Sequence, residues 1–390
     1  MLILIALVVT ALAQQPLSLK EYLEQPIPEE AENLSGEAFA EFLNKRQSFF
    51  TAKYTPNALN ILKMRVMESR FLDNEEGEML KEEDMDFSEE IPVSFDARDK
   101  WPKCTSIGFI RDQSHCGSCW AVSSAETMSD RLCVQSNGTI KVTSKKKYFY
   151  PIRTSLPVAR IVVLGRNYEL GSLHFKKKNI HFLDVEEATQ FERGNILRTQ
   201  AFALADYMEQ RQEISDSCKP YAFYPCKDES YGKCPKDSFP TPKCRKICQY
   251  KYSKKYADDK YYANSAYRIP QNETWIKLEI MRNGPVTASF RIYPDFGFYE
   301  KGVYVTSGGR ELGGHAIKII GWGTEKVNGT DLPYWLIANS WGTDWGENNG
   351  YFRILRGQNH CQIEQKVIAG MIKVPQPKSA GPPLQPNPSS

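Results

Sequence analysis

The feature that most constrains the fold is a change of pattern along the chain. Trp120–Leu132 places small and apolar residues at the spacing of a helix. From about Pro285 the chain instead consists of short aromatic and apolar segments divided by Gly and Pro, as is typical of β-strands: PVTASFRIY, GVYVTS, GHAIKIIGWG, PYWLIANSWG and GYFRILRG. This order predicts an α+β fold with a helical lobe, a β-rich lobe and a cleft between them.

The first 13 residues, MLILIALVVTALA, form an apolar run with small residues at Ala11 and Ala13. The run is too short to cross a membrane and is typical of a cleaved signal peptide (1–13), and no later run suggests a membrane anchor. We therefore expect the secretory pathway, with a lysosomal or extracellular destination. Candidate glycosylation sites on that route are the sequons at Asn33, Asn137, Asn272 and Asn328.

Residues 14–90 are acidic, with 18 Asp/Glu against 8 Lys/Arg. Because the whole chain has a net charge of only +3, the remainder is basic, and the two parts should attract each other. Nothing in this balance suggests a nucleic-acid partner. Helical spacing occurs in 38–50 and 58–72, whereas 73–90 is expected to be an exposed linker.

The composition changes again at Ile91, where IPVSFDARDKWPKC begins. We therefore predict a first segment over 14–90, a main domain over 91–373 and a disordered Pro/Ser-rich tail over 374–390. Ten cysteines in a secreted chain imply disulfides. A zinc site is the alternative, but five His and no paired CxxC set argue against it, so neither a metal nor another cofactor is expected.

The segment QSHCGSCW, residues 113–120, carries the candidate chemistry. A cysteine at the start of a helix, as predicted for Cys119, has its thiolate favoured by the positive helix end. A neighbouring imidazolium would favour it further and could protonate a leaving amine. Attack on a carbonyl creates an oxyanion, for which the Gln113 amide and the Cys119 main-chain N–H are candidate donors.

His315 is the candidate base, because it lies after two glycines at the start of an apolar strand, in GGHAIKIIGWG. Asn339, 24 residues downstream in YWLIANSWGTDWGE, could orient the imidazole. Trp341 could shield that hydrogen bond from water. A structural role for the histidine and a turn role for the asparagine are the alternatives.

The motifs QSHCGSCW, GGHAI and NSWG, in this order, resemble those of the papain family of cysteine proteases. IPVSFDARDKWPKC, the cysteine-rich 217–248 region and LRGQNHCQIEQKVIAG resemble the cathepsin B-like group, and YWLIANSWGTDWGE resembles a form in its helminth members. LNKRQSFFTAKYTP resembles the propeptide of that group. The resemblance covers residues 14–142 and about 217–373.

The resemblance implies a papain-like fold with a helical left lobe, an antiparallel β-barrel-like right lobe and a helical propeptide. It implies a monomeric cysteine endopeptidase, inhibited by its own propeptide until low pH, that hydrolyses proteins and peptides through a Cys119 thioester acyl-enzyme. His315 would be the base, Asn339 its orienting residue and Gln113 an oxyanion-hole donor. The implied substrate-binding residues are Trp341, Ala316 and Lys366.

The same resemblance pairs Cys104 with Cys133, Cys218 with Cys248, and Cys226 with Cys234. It leaves Cys361 free and leaves Cys116 and Cys244 without their usual partners. The reason is that the family normally has a cysteine-rich stretch here, with a Gly-Gly that binds substrate, and residues 143–200 stand in its place. They would be an intron read as coding, a mis-joined exon or a genuine insertion. A catalytically impaired protein that only binds peptides or inhibitors is therefore the alternative function.

Two further departures concern specificity. The loop CKDESYGKC, from Cys226 to Cys234, lacks the paired histidines with which dipeptide-removing members hold a terminal carboxylate, which favours endopeptidase activity. Lys366 replaces an acidic residue that accepts Arg in the second specificity pocket, so Arg should be disfavoured there.

The sequence Cys116-Gly-Ser-Cys119 is a CxxC, which is also typical of a different enzyme class, the disulfide oxidoreductases. Here Trp120 follows the second cysteine instead of preceding the first. This interpretation also leaves His315 and Asn339 without a role. It raises the hypothesis that Cys116 oxidises onto Cys119 and inactivates the protein.

Overall fold

The computed structural model describes residues 17–25, 28, 31, 33–72, 78–141, 213–214, 218–226, 234–239, 246–306 and 308–374. The predicted signal peptide, the segment 143–200 and, except for Val374, the predicted tail lie outside these residues.

The described helices and strands bear out the mixed α+β class. The α-helices are α1 Leu19–Glu24, α2 Gly36–Arg46, α3 Ala58–Arg65, α4 Ala97–Lys100, α5 Cys119–Gln135 and α6 Glu273–Asn283. The strands are β1 Phe50–Ala52, β2 Phe95–Asp96, β3 Glu213–Ile214, β4 Lys260–Ile269, β5 Val286–Ile292, β6 Tyr299–Tyr304, β7 Gly313–Val327, β8 Thr330–Ala338, β9 Tyr351–Leu355 and β10 Val367–Lys373. Helices thus dominate before residue 140 and strands after 260, as the sequence pattern predicts.

The strands form one ten-stranded sheet in the order β1-β6-β9-β8-β7-β5-β10-β4-β3, with β2 added beside β7. All pairings are antiparallel except the one between β6 and β9. Over the described residues this sheet is open, which corrects the expectation of a barrel-like, closed sheet. Its two edges are the very short strands β1 and β3, which pair with β6 and β4 and not with each other.

Large aromatic side chains form the core of the β-rich part. Phe296 packs edge-on against Phe290, Phe352 and Trp341, with ring centroids 5.0–5.4 Å apart. Each such ring contributes roughly 1.5–3 kcal/mol through removal from water. Because β7 and β8 run through this core, the residues at their ends are held rigidly.

Helix α5 lies deep in the molecule and is buried on nearly all sides. Its charged residues are buried because they are paired: Asp130 Oδ2 lies 2.7 Å from Lys318 Nζ, and Arg131 contacts Glu279. A disulfide between Cys104 and Cys133 attaches its last turn to the preceding loop. The helix is therefore fixed along its length, including the end that begins at Cys119.

The acidic first segment is packed against the rest of the chain. Phe50 of β1 pairs with Gly302 of β6, and a Cβ on Gly302 would lie 2.5 Å from the Phe49 carbonyl oxygen. Of the described residues 78–90, all but Leu80, Met85 and Glu89 are exposed, as expected for an exposed linker. There Phe87 packs on Trp275, with ring centroids 5.1 Å apart, and Arg282 pairs with Glu89 at 2.7 Å.

The pKa of Glu126, on α5, yields a prediction about stability. Burial raises this pKa from 4.5 to about 7, against the opposing charges of Lys318 and Arg111. Between these values the folded chain binds a proton that the unfolded chain releases, so stability falls as pH rises from 4.5 through about 7. In a Cys119→Ala background, Glu126→Gln should reduce the loss of Tm between about pH 5 and pH 8 by at least about 2 °C.

The matched control is Glu41→Gln, because Glu41 pairs with Lys45 on the exposed face of α2. Thermal unfolding followed by circular dichroism measures both variants. An unchanged pH slope in Glu126→Gln would contradict the assignment of a neutral carboxyl at this position.

Candidate active site

Cys119 is the first residue of α5 and has no exposed surface. Main-chain N–H groups of Ala316, Trp120 and Cys119 itself lie close enough to the sulfur to favour its thiolate. Burial nevertheless dominates and raises the pKa of the Cys119 thiol to about 12. In this state the sulfur is a neutral thiol surrounded by donors that suit an anion.

His315, on β7, and Asn339, just after β8, form a buried pair. The His315 Nε2 lies 2.8 Å from Asn339 Oδ1, which also accepts the Ser340 main-chain N–H at 2.8 Å. Because an amide oxygen only accepts, Nε2 carries the proton and Nδ1 is left as a proton acceptor. The Trp341 ring covers the pair, with its centroid 4.7 Å from that of the imidazole.

The imidazole is neutral in this state. Burial lowers the pKa of His315 to about 4, the hydrogen bond to Asn339 opposes the shift, and the charge of Arg65 reinforces it. Cys119 and His315 are therefore both uncharged over the range in which free thiols and imidazoles titrate.

Gln113 lies beside the sulfur-bearing turn and is fully buried. Its Nε2 donates to the main-chain oxygens of Arg65, at 2.9 Å, and Cys116, at 2.7 Å. Its Oε1 accepts from the Ser340 hydroxyl at 2.7 Å, which fixes the orientation of the amide. Ser340 was not among the predicted site residues, although it lies inside the NSWG motif next to Asn339.

Residues 65–72 of the first segment occupy the site. Met67 forms two main-chain hydrogen bonds with Gly314, at 2.9 and 2.8 Å, and its sulfur lies 3.6 Å from the Cys119 sulfur. Leu72 packs against the face of Gly314, where an added Cβ would be only 2.8 Å away. This segment therefore covers the Cys119 sulfur in the intact chain.

Arg65 is a second residue of the site that was not predicted from the sequence. Its guanidinium is buried, lies 3.8 Å from Asp112 and 5.8 Å from the centroid of Trp341. In this pair the first segment supplies the positive charge and the main domain the negative one. The expected attraction between an acidic segment and a basic domain is therefore reversed here. Another cross-segment pair, Lys53 with Glu300 at 3.2 Å, has the same reversed sign, whereas Glu89 with Arg282 follows the expectation.

The remaining substrate-binding candidates lie on neighbouring strands. Ala316, next to His315 on β7, packs with Met67, Leu72 and Cys119. Lys366 precedes β10 and is 7% exposed. Ser289 of β5 joins them, because it pairs with Ala316 and donates its N–H to the Lys366 carbonyl.

The cysteines that the structure describes form three disulfides, Cys104–Cys133, Cys218–Cys248 and Cys226–Cys234, which are the pairs that the resemblance implies. Cys116, Cys119 and Cys361 are free thiols, and Cys244 lies outside the described residues. Within the described part, one group has ligand atoms close enough for a metal: His115, Cys226 and Cys234. Its two sulfurs are bonded to each other and so are not thiolate ligands.

The four candidate glycosylation asparagines are all exposed: Asn33, Asn137, Asn272 and Asn328. Asn272 caps α6 through its side-chain oxygen, and Asn328 donates from Nδ2 to the Ser48 hydroxyl at 2.9 Å. Within the described ranges, no helix combines the length and the apolar character needed to cross a membrane.

Comparisons with known proteins agree on one family. A profile described as "Papain family cysteine protease" matches residues 91–148 and 197–371, and the unmatched gap lies inside 143–200. The chain is 36% identical to "Cathepsin B-like cysteine proteinase 6" of Caenorhabditis elegans, covering 91% of this chain and 88% of that one. It is also 36% identical to a "Gut-specific cysteine proteinase" of the same organism, covering 96% and 99%.

Among solved structures, the chain is similar to "proCathepsin B S9 from Trypanosoma congolense". The TM-score is 0.62 at 29% identity, and the match covers 88% of this chain and 99% of that one. The similarity therefore includes the first segment.

The burial of Cys119 predicts that its thiol is latent in the intact chain. A pKa near 12 leaves about a thousandth of the thiolate expected for an unperturbed thiol. Iodoacetamide at about pH 7.5 should therefore alkylate Cys119 at least ~100-fold more slowly than the same residue in urea-unfolded chain. Peptide mass spectrometry with fragment-ion quantification separates Cys119 from Cys116, and comparable rates in the two states would contradict the burial.

Proposed function

Because this chain belongs to the papain family of cysteine proteases, we propose that Cys119 is the nucleophile of a cathepsin B-like endopeptidase and His315 its general base. The chain is a cysteine protease zymogen, as its similarity to procathepsins along both segments indicates. In the proposal, residues 1–13 are the signal peptide, 14–90 the propeptide and 91–373 the peptidase domain.

The observation that carries the proposal is the way in which residues 65–67 lie in the site. A main-chain carbonyl, that of Arg65, accepts from Gln113 Nε2, while the next residues cover the Cys119 sulfur. The chain that leaves the end of α3 thus already lies on both the candidate nucleophile and a candidate oxyanion donor. A substrate peptide that replaced it would have the same two groups within reach.

The proposed reaction follows from the donors and acceptors around the sulfur. The Cys119 thiolate attacks the substrate carbonyl carbon, and the oxyanion accepts from Gln113 Nε2 and the Cys119 N–H. The imidazolium of His315, held by Asn339, protonates the leaving amine as the C–N bond breaks and the thioester remains. Water, deprotonated by His315, then hydrolyses the thioester and releases the acid.

Inhibition by the propeptide is relieved at low pH in this proposal. Carboxylates face cations on both sides of the interface, in the pairs Asp112 with Arg65, Glu300 with Lys53 and Glu89 with Arg282. Protonating these carboxylates removes the attraction whichever segment carries them. Departure of residues 65–72 would also expose Cys119 and His315 to water, which favours their charged forms.

We place the protease in the secretory pathway, with a lysosomal or extracellular destination and a monomeric state. Supporting features are the leader sequence and the disulfides. Residues 227–233 of the loop without paired histidines lie outside the described residues. The preference for endopeptidase activity therefore rests on the sequence of this loop. The four exposed sequons remain candidate glycosylation sites.

The alternative is a papain-like protein that binds peptides or inhibitors without hydrolysing them. The unmatched stretch 149–196 favours it, because substrate-binding residues of the family normally lie there. Retention of Cys119, His315, Asn339 and Gln113 in one buried cluster favours the enzyme.

Peptide hydrolysis tests the proposal. After acid treatment, the chain should cleave an internally quenched peptide, Cys119→Ala should be inactive, and Asn339→Ala should lose roughly 10–100-fold in kcat/KM through misorientation of His315. Asn283→Ala, at the end of α6 and outside the cluster, serves as the folded control. Alkylation of Cys119 without any peptide hydrolysis would instead contradict the enzyme and favour the protein that only binds peptides or inhibitors.

The position of Lys366 predicts a substrate preference. The buried side chain of Lys366 lies beside β5, the strand that pairs with the Ala316-bearing β7, and should disfavour Arg two residues before the scissile bond. Lys366→Glu should raise kcat/KM for Arg over Leu at that substrate position by at least ~10-fold, because it replaces repulsion with attraction. A peptide library measures this, with Lys373→Glu, at the exposed end of β10, as the charge-matched control. An unchanged ratio of kcat/KM for Arg over Leu would show that Lys366 does not line the second specificity pocket.

A further inference from the structure

The guanidinium of Arg65 lies in a cation seat, formed by the Trp341 ring, the Trp341 main-chain oxygen and the Asp112 carboxylate. Its Cζ is 5.8 Å from the centroid of the ring, its Nη1 donates to the main-chain oxygen at 3.4 Å, and its Nη2 lies 3.8 Å from Asp112 Oδ1. Arg65 is 3% exposed. The chain thus shows which chemical group the seat accepts, a planar cation on an aromatic face beside a carboxylate.

Asp112 is held by contacts within the main domain. It forms a short antiparallel bridge with Trp341, and its Oδ1 accepts the Ser114 main-chain N–H at 2.8 Å. Its Oδ2 packs closely on Gly342, where an added Cβ would be 3.0 Å away. None of these contacts involves residues 65–72, so the position of the carboxylate does not depend on the segment that covers the site.

The charges around the seat favour a cation. Burial lowers the pKa of Arg65, while the negative charges of Asp112 and Asp344 act in the opposite direction. Asp344 follows Trp341 by three residues and is exposed. A guanidinium that enters the seat thus meets one carboxylate that is largely buried and a second at the surface.

The seat lies where the leaving part of a substrate would depart. His315 is the proposed acid that protonates the leaving amine, and the Trp341 ring of the seat lies 4.7 Å from the imidazole, between centroids. Leu72, at the other end of the covering segment, packs with Ala316, near the pocket proposed for residues before the scissile bond. The two sides of the scissile bond therefore have separate positions at the two ends of that segment.

We propose that Asp112 and Trp341, assisted by Asp344, form a subsite for an Arg or Lys side chain that follows the scissile bond of the substrate. In the intact chain Arg65 occupies this subsite, and its departure with the covering segment makes the subsite available. The inference rests on the proposed function, because it concerns the specificity of the same site. Together with the predicted effect of Lys366, it places the preferred substrate cation after the scissile bond and not two residues before it.

The test compares internally quenched peptides that differ only in Arg or Leu at the first, second or third position after the scissile bond. The acid-treated chain should have a higher kcat/KM for Arg at the position that reaches the seat. Asp112→Asn should lower the ratio for Arg over Leu there by at least ~10-fold, because the charge is lost while Oδ1 can still accept the Ser114 N–H. Since both peptides meet the same variant, a looser propeptide cancels in the ratio.

Two further variants make the comparison specific. Asp344→Asn changes the exposed carboxylate and should lower the ratio by roughly 2–3-fold, and it keeps the proposal testable if Asp112→Asn does not fold. Asp331→Asn is the charge-matched control, because its exposed carboxylate pairs with Lys326 on the β7–β8 hairpin, and it should leave the ratio unchanged. An unchanged ratio at all three positions in Asp112→Asn, or in Asp344→Asn if the first variant does not fold, would overturn the subsite.

Peptide binding separates this proposal from the proposed function. In the acid-treated Cys119→Ala chain, fluorescence anisotropy of labelled peptides gives dissociation constants without hydrolysis, and the propeptide competes equally with the Arg and Leu peptides. Tighter binding of the Arg peptide that is lost in Asp112→Asn, with no hydrolysis by the chain that retains Cys119, would support the subsite and contradict the endopeptidase. Hydrolysis whose ratio for Arg over Leu does not depend on Asp112 would do the reverse.

Discussion

The ion pair between Asp130 and Lys318 connects the two elements on which the site depends. Asp130 belongs to the helix that begins at Cys119, and Lys318 lies three residues after His315 on β7. Both side chains are fully buried and 2.7 Å apart. Burying such charges is costly, but losing one partner would leave the other uncompensated, at roughly 3–5 kcal/mol. The pair therefore fixes how the sulfur-bearing helix lies on the histidine-bearing strand.

In the intact chain, residues 65–72 occupy the site within this rigid framework, and Cys119 and His315 are both uncharged. Residues 65–72 exclude water, and exclusion alone moves the pKa of the thiol up and that of the imidazole down. Arg65 adds a positive charge beside the imidazole. The N–H groups of Ala316, Trp120 and Cys119 already lie close to the sulfur in the intact chain.

The sequence predicted the α+β class and the start of α5 to within one residue, and its local motifs name His315 and Asn339, which form a hydrogen bond. It did not predict the contacts that Phe87 and Glu89 make with α6, since acidic composition predicts exposure and does not reveal Arg282 opposite Glu89. The open sheet was also missed, because strand number does not fix closure. Arg65 contacts Gln113 and Asp112, both more than 40 residues away, which spacing along the chain does not reveal. The roles assigned to Cys119, His315, Asn339 and Gln113 stay predictions until they are tested.

The close contact between Gly302 and Phe49 has a consequence for the chain after cleavage. β1 covers one edge of β6, and its departure would leave unpaired main-chain N–H and C=O groups along that edge. A freed propeptide keeps the sequence that fits there, so it can return by strand addition as a separate molecule. Latency would then change from a property of one chain into a concentration-dependent equilibrium, in which dilution favours the open form.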